Sequence, residues 1–305
     1  MLYYSEFSDI NGKAYRVEVV TDNSTLSRQS FTLGGNPFVT QMDSDGKHIY
    51  APIKSTGATV TIVTRNINFN LYSGSIIGNS VKLLSGTNWN TVEWTGYVSP
   101  CMYDQGFGEL EEVEIECIDG ISALKNIPYR SVNPERQVVK FSELINRILA
   151  SCKCYRNFYI SDNVQLKDNA TESVIDIFRI SENNFFDEKD DINQPDDDVA
   201  WNCYDVLYEI CQYLGYSLIP HGDEIFIVDY DAIKQNNNYY FKYAIGSNMT
   251  PARVQLTESM HIEGNTHANN SANVSLDEVY NKVTIKDDFH TFDNIFPEFG
   301  DEDFE

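Results

Sequence analysis

The chain has 305 residues, of which 42% are hydrophobic, so it is long enough to bury a substantial core and to form two domains. Its 22 Lys and Arg residues against 46 Asp and Glu residues leave a formal net charge of −24. This charge excludes a general nucleic-acid binder, because affinity for the phosphate backbone depends largely on Lys and Arg. No basic segment followed by an apolar one opens the sequence, and no apolar stretch reaches the about 18 residues of a membrane span. We therefore expect neither secretion nor membrane anchoring.

The cysteines and aromatic residues give further information on the class of protein. The six cysteines show no spacing of a disulfide framework, which is typical of thiols that stay reduced in a cytoplasm. They are Cys101, Cys117, Cys152, Cys154, Cys203 and Cys211. Aromatic residues make up 13% of the chain, a content that suits half-buried strands and protein interfaces. The composition therefore favours β structure with protein-binding surfaces.

The first part of the chain, to about residue 130, alternates polar and apolar residues with a period of two. The clearest predicted strands are residues 2–7, 14–21, 59–64, 81–84, 91–98 and 112–117. Asn11-Gly12 lies between the first two strands and tolerates the positive φ angles of a tight hairpin. The last strand places Glu112, Glu114 and Glu116 on one face and apolar residues on the other. About seven short strands with regular turns predict a barrel or a sandwich.

Helical periodicity follows the strands. Apolar residues recur at helical spacing from residue 141 to residue 152, with Ser142 predicted to cap the first turn. A second helix is predicted between a cap at Asn202 and a terminating Gly215. Its apolar stripe contains Leu207, Ile210, Cys211 and Leu214. Because a hairpin over residues 216–228 follows directly, this part predicts a compact α+β unit.

The remaining segments are predicted from composition. Residues 186–199 are rich in Asp and Glu and predict a solvated acidic loop. Residues 239–244 and 279–285 return to strand character, and the Asn-rich residues 264–273 predict a loop between them. The acidic residues 291–305 predict a tail without a packed partner of its own.

The search for catalytic residues finds no nucleophile in a Gly-x-Ser-x-Gly turn and no Cys in a known catalytic signature. The histidines lie mostly in turns and loops, where an ordinary surface histidine is favoured over a catalytic base. They are His48, His221, His261, His267 and His290. Residues 196–198 are three consecutive aspartates, which we interpret as part of a solvated loop rather than a glycosidase pair, with weak divalent-cation binding left open.

Metal and cofactor motifs are also incomplete. Cys152-Lys153-Cys154 lacks the second Cys or His pair of a zinc site, and Cys152 fits the buried helical stripe, which favours core packing. Residues 43–46 lack two ligands of a calcium loop, and residues 106–108 lack the third glycine of a dinucleotide motif. We therefore predict no catalytic residue, metal or cofactor, and so no enzyme.

Four segments in a fixed order resemble the tail or baseplate hub proteins of bacteriophages and of related contractile injection systems. The segments are Trp94-Thr95-Gly96-Tyr97-Val98, residues 114–120 with Leu124, residues 205–215, and Glu278-Val279-Tyr280-Asn281-Lys282-Val283. The residues that carry the resemblance are Trp94, Gly96, Tyr97, Cys117, Asp119, Gly120, Leu207, Ile210, Gly215, Tyr280 and Asn281. Each motif is weak alone, and the order and spacing of the four carry the specificity.

The resemblance implies a mainly β fold with an α+β insertion. Residues 1–135 would form a tail-tube-like β-barrel completed by residues 240–290. Residues 136–238 would form the inserted helix and hairpin domain on its outer side, and residues 291–305 the acidic tail. Trimeric relatives carry a second barrel, which would begin near the end of this sequence. A complete chain would then need six copies for sixfold symmetry, whereas a truncated one would suit a trimer.

The function that the resemblance implies is structural. Copies of the chain would form a ring around the DNA channel of a virion tail, after assembly in the cytoplasm of the bacterial host. The partners would be sister copies, tube or collar proteins and distal fibre or spike proteins, with only transient passage of DNA. Glu112, Glu114 and Glu116 would line the channel and repel the phosphate backbone. The alternatives are a carbohydrate- or receptor-binding tail module and, least favoured, a cell-wall hydrolase.

Overall fold

The computed structural model of the chain describes residues 2–21, 27–43, 50–64, 71–72, 74–100, 110–131, 136–163, 172–187, 199–247, 250–257 and 284. The strands of the first part are β1 (Leu2–Ser8), β2 (Ala14–Val20), β3 (Arg28–Ser30), β4 (Thr32–Asp43), β5 (Ser55–Thr64), β6 (Ser80–Ser85), β7 (Thr91–Val98) and β8 (Glu111–Asp119). Further strands are β9 (Val138–Lys140), β10 (Asn157–Ser161), β11 (Arg179–Ser181), β12 (Phe186–Asp187), β13 (Val199–Ala200), β14 (Ser217–His221), β15 (Glu224–Val228), β16 (Tyr239–Ala244) and β17 (Ala252–Gln255). The α-helices are α1 (Gly120–Ala123), α2 (Phe141–Ser151), α3 (Val174–Ile177), α4 (Cys203–Leu214) and α5 (Tyr230–Lys234). The mainly β class is confirmed.

Eight strands form one sheet in the order β3-β1-β2-β6-β7-β8-β5-β4. The predicted hairpin of β1 and β2 is confirmed, with Gly12 at a φ of 79° in its turn. One face of the sheet buries an apolar core because each strand alternates its side chains between two faces. This core contains Tyr3, Val17, Val19, Val60, Ile62, Val81, Trp94, Val98, Val113, Ile115 and Cys117.

The two end strands of this sheet, β3 and β4, follow one another in the chain with only Phe31 between them. The Phe31 N–H donates to the Tyr4 carbonyl at 3.2 Å, so the ends of the sheet approach each other. No ladder between described residues joins β4 to β1, however, and the predicted closed barrel is not confirmed. The register of β4 shifts between Leu33 and Phe38, where Pro37 has no N–H to donate.

Five strands form a second sheet in the order β14-β15-β10-β16-β17. Helices α2 and α4 cover its apolar face in a separate core. Helix α4 begins as predicted, since the Asn202 side chain accepts the Asp205 N–H at 2.8 Å. It ends at Gly215, whose φ of 70° is the left-handed conformation that favours glycine. The hairpin of β14 and β15 follows as predicted.

The predicted cap of the first long helix is wrong. Helix α2 starts two residues earlier than a cap at Ser142 would give, with Lys140 as its N-terminal boundary, and Ser142 is buried inside the first turn. The start is fixed by tertiary pairing, because β9 pairs with β11 immediately before the helix. The Phe141 N–H donates to the Phe178 carbonyl at 3.1 Å, which replaces a side-chain cap.

The strand after residue 238 is present, but its predicted return to the first sheet is wrong. β16 pairs with β10 and β17 in the second sheet. Its Phe241 and Tyr243 belong to the core under the helices, so burial of these rings fixes the strand there. The predictions for residues 188–198, 258–283 and 285–305 lie outside the described residues, including the Asn-rich loop, most of the late strand and the acidic tail.

The two sheets meet along residues 51–54, which run beside the edge strand β14. The Lys54 N–H donates to the Leu218 carbonyl at 2.9 Å, and the Leu218 N–H donates to the Pro52 carbonyl at 2.8 Å. The Ser217 hydroxyl donates to the Ala51 carbonyl at 2.8 Å. These bonds cover the outer edge of β14 and hold the second sheet against the first.

Candidate functional site

Residues that carry the family resemblance converge where the first sheet meets the helical unit. Strand β7 supplies Trp94, Gly96 and Tyr97, strand β8 supplies Cys117 and Asp119, and Gly120 opens helix α1. The ladder pairs Gly96 directly with Asp119. We call this set, together with the partners described below, the junction.

Asp119 is the buried acid of the junction, with 1% of its surface exposed. Its carboxylate accepts the Thr56 N–H at 2.6 Å, the Thr56 hydroxyl at 3.0 Å and the Ser122 N–H at 2.7 Å. The last bond caps helix α1. Burial raises the pKa of Asp119, and these hydrogen bonds oppose the rise. The carboxylate therefore links β8, β5 and α1 in one network.

Trp94 extends this network into the apolar core. Its indole N–H donates to the Thr56 hydroxyl at 3.0 Å, and that hydroxyl donates in turn to Asp119. The Trp94 ring also packs edge-on against Phe38 of β4 at 5.7 Å between centroids. A buried indole N–H normally requires such a partner. The pairing fixes the orientation of Trp94 at the end of the core.

The two junction glycines allow neighbouring segments of the chain to approach their backbone closely. A Cβ on Gly96 would lie 2.1 Å from the Ile118 carbonyl oxygen and 2.4 Å from the Trp94 ring. A Cβ on Gly120 would lie 2.7 Å from the Cβ of Cys154. Any side chain would therefore displace either a paired strand or the segment after α2. These contacts give a physical reason for both glycines in the motif.

Tyr97 connects the first sheet to the helical unit. Its hydroxyl donates to the carbonyl of Cys152, directly after helix α2. The side chain is buried, with 4% of its surface exposed, and burial raises its pKa. A neutral, hydrogen-bonded phenol at this depth acts as a fixed link between the two parts of the chain.

The three glutamates of β8 lie on the exposed face, as the alternation predicts. Glu112, Glu114 and Glu116 are exposed, and the intervening residues on the strand are buried. Glu112 accepts the Gly35 N–H at 3.2 Å, which ties the bulge of β4 to this face. The stripe is a concentrated negative surface. That it faces a channel stays a prediction.

The other described motif residues lie outside the junction. Leu207 and Ile210 are fully buried in the core between the helices and the second sheet. Gly215 ends helix α4 before the hairpin. Tyr280 and Asn281 lie outside the described residues. Leu207 and Ile210 therefore have packing roles, and Gly215 has a chain-reversal role.

The sequence interpretation missed two polar partners that local patterns do not reveal. Thr56 lies 63 positions from Asp119, and no signal in either segment indicates the pairing. Glu182, which is 0% exposed, accepts the Tyr129 hydroxyl at 2.6 Å and the Arg147 guanidinium at 2.7 Å. Burial alone would raise the pKa of Glu182, but these bonds outweigh it and lower the pKa. This network stabilises the helical unit.

Two clefts lie beside the second sheet. One of about 500 Å³ is lined by Tyr50, Tyr216, Tyr230, Asp229 and Lys234 among others. The other, of about 680 Å³, is lined mainly by polar residues, including Arg156 and Glu224. Within the described part of the chain, no three His, Cys, Asp or Glu side chains are grouped as metal ligands. Likewise, no described helix combines the length and apolar character needed to cross a bilayer.

Comparison with known proteins gives a structural likeness. No family model matches the chain, and no curated protein matches it. A solved structure, the 43 kDa tail protein of prophage MuSo2 from Shewanella oneidensis, matches with a TM-score of 0.35 and 11% identity. The match covers 74% of this chain and 53% of the tail protein, so the chain spans about half of its length. At these values the match does not establish a common fold or function.

Proposed function

We propose that the chain is a structural protein of a bacteriophage tail, a hub or distal tail adaptor whose copies surround the path of the DNA. The observation that carries this proposal is the exposed carboxylate stripe of β8, set on a sheet whose end strands each pair on one side only among the described residues. The junction supports it because the motif residues there serve packing and orientation. The proposal assigns the chain no catalytic residue, metal or cofactor.

The end strands offer a route to ring formation. Among the described strands, β4 pairs only with β5 and β3 only with β1. Val39 and Met42 of β4 are 49% and 48% exposed. An unpaired strand edge is a template for pairing with another chain, and head-to-tail contacts close into rings. Sister copies are the first partners under this proposal.

The stripe gives the ring its electrostatic role. Carboxylates that line a channel repel the phosphate backbone, so DNA passes without binding. Tube or collar proteins on one side and fibre or spike proteins on the other would complete the assembly. The place of action would be the virion tail, with assembly in the cytoplasm of the host.

Reversal of the charge on the stripe tests this role. Replacement of Glu112, Glu114 and Glu116 by Lys should leave the fold intact, because all three side chains are exposed. Particles that carry the triple variant should eject their genome at least about tenfold more slowly, since the cations would hold the passing strand. DNA release from purified particles, followed by dye fluorescence, measures this rate.

A matched variant distinguishes the effect of charge on the β8 stripe from the effect of the net charge of the chain. Glu143, Glu172 and Asp231 are exposed carboxylates outside the first sheet, and their replacement by Lys changes the net charge equally. Particles with this control should eject DNA at the normal rate. Normal assembly together with normal ejection by the β8 variant would show that the stripe does not border the channel.

A second candidate function, carbohydrate or receptor binding, is favoured by the cleft with three tyrosines. Tyr50 and Tyr230 meet edge-on at 5.5 Å between ring centroids, and Tyr50 is 48% exposed. The buried Tyr216 hydroxyl has no hydrogen-bond partner among the described residues. Aromatic rings beside polar groups are common features of ligand sites. Binding of the purified chain to a glycan array, lost on Tyr50→Ala, would favour this function over the ring.

A further inference from the structure

The positive charge of this acidic chain is concentrated in one segment. Residues 125–156 contain seven Lys and Arg residues and two Glu residues, whereas the whole chain has 22 basic and 46 acidic residues. The basic residues of the segment are Lys125, Arg130, Arg136, Lys140, Arg147, Lys153 and Arg156. A local excess of positive charge in a negative chain favours the binding of an acidic partner.

Two of these cations border a small cleft beside helices α2 and α4. The cleft has a volume of about 240 Å³, and its lining includes Ile127, Pro128, Ile148, Arg130 and Arg147. Backbone hydrogen bonds fix its walls. The Cys203 N–H donates to the Ile127 carbonyl at 2.8 Å, and the Tyr129 N–H donates to the Trp201 carbonyl at 2.7 Å. The cleft is therefore formed before any ligand enters it.

Further cations and aromatic rings surround the cleft. The Lys125 Nζ lies 4.7 Å from the ring centroid of Tyr204, at the start of helix α4. The Arg136 guanidinium lies 3.8 Å from the ring centroid of Phe186, and this ring is 5.9 Å from that of Tyr129 in the cleft wall. Cations beside aromatic faces offer contacts to both acidic and apolar groups. We call the cleft, with its four surrounding cations Lys125, Arg130, Arg136 and Arg147, the basic cleft.

Part of the positive charge of the basic cleft is not neutralised by the described part of the chain. The buried carboxylate of Glu182 lies 2.7 Å from the Arg147 guanidinium. The Asp205 carboxylate is hydrogen-bonded within the cap of helix α4. Lys125 and Arg130 are exposed and have no ion-pair partner among the described residues. Two such cations beside an apolar opening fit a ligand that carries both carboxylates and an apolar side chain.

The acidic tail of the chain has this chemistry. Residues 291–305 contain six Asp and Glu residues, four Phe residues and no Lys or Arg. The phenylalanines are Phe292, Phe296, Phe299 and Phe304. Residues 188–198 are also acidic, but they contain no aromatic residue. The acidic tail therefore matches an apolar cleft bordered by cations better than the other acidic segment does.

The acidic tail is long enough in its connection to reach the basic cleft of its own chain. Thirty-three residues separate Thr257, the last residue of the described range that contains β17, from residue 291. Extended, they span about 110 Å, whereas a folded chain of this length has a radius of gyration of about 19 Å. A tethered ligand also has an effective concentration near the millimolar range, which favours the tail of the same chain over that of a second copy.

We propose that the basic cleft binds the acidic tail, residues 291–305, of the same chain. Lys125 and Arg130 pair with carboxylates of the acidic tail, and one of its phenylalanine rings occupies the apolar part of the cleft. The docked segment covers the most basic surface of the chain and shields it from phosphate groups. Docking does not depend on the proposed virion function; if that function is right, it keeps DNA from binding to the helical unit.

Zero-length cross-linking of the full chain tests the proposal. A water-soluble carbodiimide joins a lysine amine to a carboxylate only where the two are in contact. Lys125 should become linked to an Asp or Glu of the acidic tail. Tryptic peptide 287–305 should then appear attached to peptide 83–130, because trypsin does not cut at the modified Lys125. In an equal mixture of isotope-labelled and unlabelled chains, the two linked peptides should carry the same label.

Substitutions measure the contributions of charge and of the aromatic rings. Arg130→Glu should lower the yield of this cross-link at least about threefold, because it reverses one of the two cations without an ion pair. Lys82→Glu is the matched control, since Lys82 is an exposed lysine on β6 of the first sheet, and it should leave the yield unchanged. Phe296→Ala combined with Phe299→Ala should lower the yield without any change of charge. Circular dichroism verifies that each variant is folded.

The results that would overturn the proposal are equally defined. Folded wild-type chain without a link between Lys125 and residues 291–305 would overturn it, and this result requires no variant. Linked peptides that carry different labels would show that the acidic tail docks on a second copy instead. Equal yields from Arg130→Glu and Lys82→Glu would show that the link does not depend on the basic cleft.

Discussion

Gly96→Ala is expected to destabilise the folded chain by about 3 kcal/mol, which is a large fraction of the stability of a typical domain. The added methyl group would lie 2.1 Å from the Ile118 carbonyl oxygen, a backbone atom in the paired strand β8. The strand cannot retreat without loss of the Gly96 and Asp119 pairing. The Trp94 ring, 2.4 Å from the added methyl group, is itself held by the Thr56 hydroxyl.

The free energy of unfolding, measured by urea titration with circular dichroism, checks this value. Gly35→Ala is the matched control, because a Cβ at Gly35 on the same sheet meets nothing within 4 Å. The control should change stability by less than about 0.5 kcal/mol. Equal effects of the two substitutions would show that β7 and β8 do not approach as closely as described.

Asp119→Ala is the second substitution with a large expected effect, a loss of about 3 kcal/mol in the free energy of unfolding. The substitution would leave the part-buried N–H groups of Thr56 and Ser122 without this acceptor. Each buried, unpaired donor costs about 1–3 kcal/mol. Asp119→Asn keeps one acceptor oxygen and should cost less, about 1 kcal/mol at neutral pH. Urea unfolding of both variants gives the comparison.

The stability difference between the wild type and Asp119→Asn should change with pH in a defined direction. Burial raises the pKa of Asp119 above the usual 3.8, so the folded chain holds this proton more tightly than the unfolded chain. The contribution of Asp119 to stability should therefore fall as pH rises from about 4 toward the raised pKa. Asn does not titrate, so the stability difference between wild type and Asp119→Asn should shrink over this range.

An exposed glutamate on the same strand provides the reference. Glu114→Gln removes one charge from β8 without removal of a buried acceptor, and it should change stability by less than about 0.5 kcal/mol. A wild type to Asp119→Asn difference that grows with pH would contradict the raised pKa. Unchanged stability of Asp119→Ala would contradict the network at the junction.

The elements with strong local signals were predictable from sequence. Asn202 and Gly215 delimit helix α4 because a side-chain cap and a left-handed glycine act within a few residues. The β1 and β2 hairpin and the two faces of β8 follow from turn chemistry and from strict alternation. These features need no information from distant parts of the chain.

The features that depend on distant partners were not predictable. Serine is a residue type that commonly caps helices, which made Ser142 the predicted cap. The pairing of β9 with β11 instead sets the N-terminal boundary of α2 at Lys140. β16 has the pattern of any half-buried strand, and only its neighbours β10 and β17 decide which sheet it joins. The bond between Thr56 and Asp119 likewise depends on the register of β5 against β8. Local pattern does not specify such pairings.

The sequence resemblance singles out the motif residues of the junction as a set, but it does not specify the contacts among them. Trp94, Gly96 and Asp119 now have physical roles in one network of hydrogen bonds and close approaches. Tyr97 extends that network to the helical unit through the Cys152 carbonyl. A rigid link of this kind suits a subunit that must hold its two parts in fixed orientation within an assembly.

The proposed ring is tested most directly by cryo-electron microscopy of the chain in virion tails or in complexes reconstituted with its neighbouring tail proteins. We predict three or six copies around a central channel, with the carboxylates of β8 turned toward the lumen. A chain that stays monomeric in the presence of all its tail neighbours, or a ring with β8 on its outer wall, would contradict the proposed function.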